Sequence, residues 1–244
     1  MAEPVPCLLL PGTLCDASLF EPILQVWRTL GFAPAHHMAD LHQGPLDDGW
    51  CDAQMNATGT VMDVVGFSLG GILALQCLAQ APQRIRRMVL VATNPLPGSG
   101  VHRERFQQQW ALWHQQGPQA VAEQMLAQAS PNAPPYVLDC VKAMASATPT
   151  AALASQGELN ASRPDRREQL ARWSGPLMLV GGQDDPWCGT DKQQLLREVR
   201  PDAHGHLLPH TGHYVPLEQP EALGRLTCDF FSSEPNLYPS QDMP

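Results

Sequence analysis

The chain has 244 residues, 43% of them hydrophobic and 16% charged, with a formal net charge of −9. That length suits one sizeable core better than two independent domains, and the composition is that of a globular rather than a disordered chain. An acidic balance with no basic stripe interleaved with aromatics excludes binding to a phosphate backbone, so nucleic acid is not an expected partner.

In chain order, the opening MAEPVPCLLLPG lacks a positive flank, and its apolar run is too short for a signal peptide. No stretch approaches a membrane span, so a membrane partner is not expected either. Residues 7–10 form a compact apolar run stopped by Pro11-Gly12, a first predicted strand. A second strong run, 61–65, ends at Gly66, and residues 69–80 (LGGILALQCLAQ) are apolar throughout, which predicts a buried central helix. A third strong run, 88–92, ends at Asn94-Pro95. Between about residues 97 and 173 no strand pattern occurs. Phe106, Trp110 and Trp113 share one helical face there, and Gly117-Pro118, Pro131 and Pro134-Pro135 break the region into several helices. An insertion of about 75 residues exceeds any ordinary connection. Strands resume at 177–180, ending at Gly181-Gly182, and more weakly at 206–208. Pro220 and Glu221 then open a last amphipathic helix over 220–231. Strands alternating with helices imply a mostly parallel sheet in an α/β fold. The expected division is a core of 1–96 and 174–232, a helical insertion of 97–173 and a flexible tail of 233–244. The seven cysteines (7, 15, 51, 77, 140, 188 and 228) are scattered and contain no CxxC pair. This argues for reduced thiols in a cytoplasmic protein rather than a disulfide framework or zinc knuckle.

The chemistry concentrates at strand ends. Gly66-Phe67-Ser68-Leu69-Gly70-Gly71 contains GxSxG, a pattern met by chance in about one chain in ten of this length. Here it follows an apolar strand and opens a helix, the setting that exposes a serine on a sharp turn, with glycines two residues before and after to avoid a backbone clash. A serine hydroxyl needs a base. His213, in a loop after the last strand, is the expected base, while His210, nearer that strand, is the more structural of the two. His204, His206, His210 and His213 fit no metal-binding spacing, so neither metal nor cofactor is expected. The imidazole needs an acid to set its tautomer. Asp184 and Asp185 both follow the 177–180 strand, and spacing does not separate them. The backbone N–H of Leu69, at a helix start, and that of Thr13, in the turn after the first strand, are the candidate oxyanion donors. Phe106, Trp110, Trp113 and Trp173 are candidate walls of an apolar acyl pocket.

Through LLLPGTLCDASLF, VVGFSLGGILAL, LMLVGGQDDPW and HTGHYVPLEQPEAL, the chain resembles the α/β-hydrolase superfamily over about residues 6 to 231. It is most similar to small bacterial esterase-like members, among them the biotin-pathway carrier-protein esterases and the menaquinone-pathway synthases. The resemblance implies Ser68 as nucleophile, Asp185 rather than Asp184 as acid, His213 as base, and Thr13 and Leu69 as oxyanion donors. It also implies that the insertion is a lid. Two departures stand out. Pro11-Gly12 replaces the His-Gly common at that turn, and the first hairpin of the fold is missing, which implies a sheet of about six strands with a new edge near residues 32–38. The expected function is acyl transfer from a small carboxylic ester or thioester to water. Two rivals are a lyase or carbon–carbon hydrolase on the same three residues, and a silent ligand-binding protein. Arg103, Arg105, Lys142, Arg163, Arg166 and Arg167 could make a basic roof of the kind a polycarboxylate-binding lyase needs.

Overall fold

A computed structural model describes residues 5–233, so all but the first residue of the expected 233–244 tail lies outside the described residues. Six strands make one sheet: β1 (Cys7–Leu10), β2 (His36–Met38), β3 (Met62–Phe67), β4 (Ile85–Val91), β5 (Leu177–Gly182) and β6 (His204–Leu208). The order is β2-β1-β3-β4-β5-β6, and every neighbouring pair is parallel. The expected short edge strand is β2. The weak run at 206–208 extends back to His204.

Period-two alternation divides each strand between two cores. Leu9, Val65, Phe67, Val89, Val91 and Val180 face one cluster, while Leu8, Leu10, Val64, Met88, Leu90 and Leu179 face the other. The first cluster packs against α1 (Glu21–Thr29) and α11 (Pro220–Ser232). The second packs against α2 (Asp48–Thr58), α3 (Leu69–Gln80) and α9 (Thr190–Val199). With a helix layer on each face, the inner strands β1, β3 and β5 are buried along their whole length, and β4 over all but one residue. This is why they read as continuous apolar runs rather than as alternating ones.

Because β2 and β3 lie on opposite sides of β1, the chain reverses its direction of progress across the sheet there. Crevices in open α/β sheets form beyond the carboxyl ends of strands at such a point. The register pairs Leu10 with Gly66, Phe67 with Val91 and Val91 with Val180. The loops after β1, β3, β4 and β5 therefore leave the sheet along one edge.

Between β4 and β5 come five helices: α4 (Gly100–Gln116), α5 (Pro118–Ala129), α6 (Pro135–Ala147), α7 (Thr150–Ser162) and α8 (Arg167–Arg172). Gly117, at φ 85°, ends α4 and Pro118 starts α5, as the breaker residues predict. The last helix behaves differently from the others. Leu170 of α8 and the adjoining Trp173 are buried in the second sheet core beside Leu196. The α10 turn (Val215–Glu218) precedes α11. No helix among the described residues is long and apolar enough to cross a membrane. All seven cysteines are free, and all but Cys140 are buried.

Candidate active site

Ser68 sits between β3 and α3 with φ 52°, a left-handed backbone that costs a non-glycine residue of order 1–3 kcal/mol. The turn is held by its surroundings. The Ser68 N–H donates to Val91 O at 2.9 Å, and Thr93 Oγ1 donates to Ser68 O at 2.8 Å. A Cβ on Gly66 would lie 2.6 Å from Gly70 O, and one on Gly70 would lie 2.0 Å from Leu10 O. Both glycines are thus required by close backbone approach, as the GxSxG reading anticipates.

Ser68 Oγ lies 2.9 Å from His213 Nε2, and His213 Nδ1 lies 2.8 Å from Asp185 Oδ2. Both partners of the second contact are buried. The other oxygen of Asp185 accepts from the Trp187 and Cys188 N–H groups at 2.8 and 3.0 Å, which fixes the carboxylate. Asp184 is exposed; its backbone N–H donates to Thr211 O. His210 is exposed in a tight turn at φ 52°. His206 is half-buried, and that burial lowers its pKa.

Three residues without a motif hold the histidine loop. The His213 N–H donates to Ala129 O at 3.0 Å and to Ser130 Oγ at 2.8 Å. Ser130 Oγ donates to Glu218 Oε1, whose other oxygen accepts from the Gly212 N–H. Glu218 lies in the same HTGHYVPLE segment as His213, which is the one sequence signal for it. Ser130 had none beyond its place at the end of a predicted helix.

The turn after β1 contains Leu14 at φ 56°. Its N–H donates at 2.9 Å to Oε1 of Gln156, a fully buried α7 residue whose Nε2 donates to Leu41 O. Thr13 and Leu69 both line the cavity over Ser68. As the first residue of α3, Leu69 has no intrahelical acceptor for its N–H.

That cavity, of about 80 Å³, is walled by Phe67, Ile72, Met125 and Trp187 and roofed by α4 and α7. Phe106 lines it; Trp110 and Trp113, the other candidate walls on the same helical face, do not. Only His102, Arg105, Phe106 and Gln109 of α4 reach the cavity. Trp113, one turn further on, is buried in the core with its Nε1 donating to Thr150 Oγ1, and Trp110 packs edge-on against His114. Trp173 lies in the sheet core under the Arg200 guanidinium.

Asp185, Cys188 and His213 bring potential metal-ligand atoms within 4.8 Å of one another. The chemistry suits an ion poorly. Both imidazole nitrogens are engaged, and burial, with the Asp185 charge second, pushes the Cys188 thiol up to about 12, far from the thiolate a metal needs. Hydroxyl, imidazole and carboxylate in this chain are an arrangement able to deprotonate an alcohol and return its proton.

The solved structure of a thermophilic esterase from Thermogutta terrifontis superposes with a TM-score of 0.82 at 20% identity, covering 94% of this chain and 90% of that one. The pimeloyl-acyl-carrier protein methyl ester esterase of Yersinia enterocolitica is 27% identical over 68% of this chain and 67% of its own length. The Shewanella woodyi esterase of the same name is 30% identical, but the match spans only 36% of each chain. The model of the alpha/beta hydrolase family matches residues 8–226, most of the chain and every strand but the first residue of β1, and the protein belongs to that family.

Proposed function

We propose that the protein hydrolyses a small carboxylic ester or thioester through an acyl-enzyme at Ser68. The observation that carries this reading is the unbroken run from Ser68 Oγ to His213 Nε2 and from His213 Nδ1 to Asp185 Oδ2, at 2.9 and 2.8 Å. His213 takes the Ser68 proton as Oγ bonds to the substrate carbonyl carbon. The tetrahedral oxyanion faces the Leu69 and Thr13 N–H groups, each worth about 100- to 1,000-fold in turnover. As the bond to the leaving group breaks, His213 returns the proton to the departing alcohol or thiol. Water then attacks the acyl-enzyme, His213 takes its proton and gives it to Ser68, and the acid leaves. Asp185 holds the imidazole in the tautomer with Nδ1 protonated and stabilises it when charged. The helices α4 to α7 act as a lid over this chemistry. The names of the relatives, esterases acting on a carrier-bound methyl ester, support an ester as substrate.

One observation favours a second reading, carbon–carbon bond chemistry on the same three side chains. Arginines line the cavity roof, as a polycarboxylate substrate would require.

The test is hydrolysis of p-nitrophenyl acetate and butyrate by Ser68→Ala. The variant should fold, lose at least 1,000-fold in turnover and resist labelling by a fluorophosphonate probe that labels the wild type. Wild-type rates or undiminished labelling in the variant would remove Ser68 from the mechanism.

A further inference from the structure

The lining of the catalytic cavity carries two arginines, Arg105 and Arg163, and neither Asp nor Glu, in a chain whose net charge is −9. A buried cation is normally paired, because desolvation without a counter-charge is expensive. Among the described residues, neither of these has a counter-charge. Arg163 is 5% exposed, and its guanidinium donates to Leu96 O, Asn160 O and Asn160 Oδ1, all neutral, and meets His102 Nε2. Arg105 is half-buried and has no hydrogen-bond or ion-pair partner among the described residues. Its guanidinium lies over the Trp187 ring, 4.6 Å from the centroid. Burial holds both arginines below the usual arginine range. It also lowers His102 to about 4, with the two arginine charges adding to the effect, so the imidazole between them is neutral near pH 7. Of the other basic residues of the insertion, Arg103 is exposed, Lys142 pairs with Glu123, Arg167 with Asp165 and Arg172 with Glu168, while the half-buried Arg166 lies outside the lining of this cavity.

Position links this charge to the reacting atoms. The ring of Trp187 lies 5.0 Å from the imidazole of His213. Taken end to end with the cation–π spacing, this puts the Arg105 guanidinium at most about 10 Å from that imidazole. A carboxylate contacting a guanidinium at about 2.8 Å would then sit only a few bonds from a carbonyl held at Ser68.

Resting on the reading of this cavity as an esterase site, we infer that Arg105, backed by Arg163, is an anion subsite. The substrate is an ester carrying an ionised carboxylate a few carbon atoms from its scissile carbonyl, such as a half-ester of a short dicarboxylic acid. Arg163 also ties the Leu96 and Asn160 carbonyls, so Arg105 is the cleaner position to test.

The experiment compares kcat/KM for monoethyl glutarate and for ethyl pentanoate, its neutral match in length, by pH-stat titration. The wild type should prefer the half-ester at least tenfold. Arg105→Gln should cut that preference at least tenfold, Arg105→Lys should restore part of it, and Arg103→Gln should leave it alone. The wild-type preference needs no variant, so a misfolded Arg105→Gln leaves the question decided. If ethyl pentanoate is hydrolysed through Ser68 with no preference for the half-ester, the subsite is wrong and the esterase reading survives. If neither ester is hydrolysed, the esterase reading fails, and calorimetry with free glutarate decides the subsite. Binding that disappears in Arg105→Gln upholds it, and no binding to the wild type refutes it.

Discussion

Replacing Asp185 by Asn removes one charge and keeps the side chain's shape, and its consequence follows from the direction of each bond. Asp185 Oδ1 accepts two backbone N–H groups, from Trp187 and Cys188, while Oδ2 faces His213 Nδ1. An asparagine would keep its carbonyl oxygen toward the two backbone donors. The opposite orientation would set an NH2 group against them and leave buried donors unpaired, at about 1–3 kcal/mol each. The amide NH2 therefore points at Nδ1 and forces the imidazole into the tautomer with its proton on Nε2. That is the nitrogen 2.9 Å from Ser68 Oγ, and once protonated it is no longer a base. The expected loss is about 10⁴-fold in kcat, equivalent to roughly 5.5 kcal/mol of transition-state stabilisation, with a melting temperature close to that of the wild type. Steady-state hydrolysis of p-nitrophenyl butyrate beside thermal melts measures both. Asp184→Asn is the control: its exposed side chain should leave turnover within about twofold. A turnover for Asp185→Asn within tenfold of the wild type, or an equal loss in Asp184→Asn, would refute the tautomer argument.

Gly70→Ala would bring a Cβ to 2.0 Å from Leu10 O, a backbone atom of β1, so either the strand or the start of α3 must shift. The expected cost is about 3 kcal/mol, read as a lower denaturant midpoint, together with lost activity. Gln156→Leu would leave the buried Leu14 N–H without its acceptor and release the turn that carries Thr13. Steady-state kinetics should show kcat falling about tenfold or more with KM little changed, and Gln156→Glu, which keeps an acceptor, should recover part of the loss. A matching loss in both variants would deny Gln156 a positioning role. His102 titrates near 4 in the folded protein and near 6.5 when unfolded, so between those values the unfolded chain binds more protons. Its contribution to stability is complete above about pH 6.5 and is lost as the pH falls toward 4. His102→Gln should flatten the decline of the melting temperature across that window, and an unchanged slope would show that other groups cause it.

What the sequence discloses here is whatever is local or periodic. Gly66, Ser68 and Gly70 are contiguous with a strand and a helix, so one motif specifies the whole bend. His213 is 145 positions from Ser68, yet it was legible, because parallel strands bring their C-terminal ends to one edge. Asp184 and Asp185 were inseparable by spacing. What distinguishes them is a turn in which Thr211 takes the first residue's N–H while Trp187 and Cys188 bind the second residue's carboxylate. Helical period placed Phe106, Trp110 and Trp113 on one face. It gave no sign of how far along α4 the cavity extends, and the cavity stops short of Trp113. Charge at Arg105 was visible, but its lack of a hydrogen-bond or ion-pair partner among the described residues is a fact of three dimensions.

The least legible contacts join the inserted helices to the two loops that the chemistry needs. Gln156 on α7 holds the turn after β1 across 142 positions, and Ser130 at the end of α5 holds the His213 loop across 83. Single polar residues in helical stretches carry no pattern that announces such bonds, because each partner is set by how the insertion docks. The consequence is mechanical. Displacing α5 and α7 would free the turn that carries Thr13 and the His213 loop together, so on the proposed mechanism the insertion maintains the geometry of the site as well as roofing it. Substrate entry by wholesale lifting of these helices would disarm the very groups it exposes. Of the helices over the cavity, α4, which reaches it through His102, Arg105, Phe106 and Gln109, makes neither of these two bonds, so movement of α4 would not by itself break them.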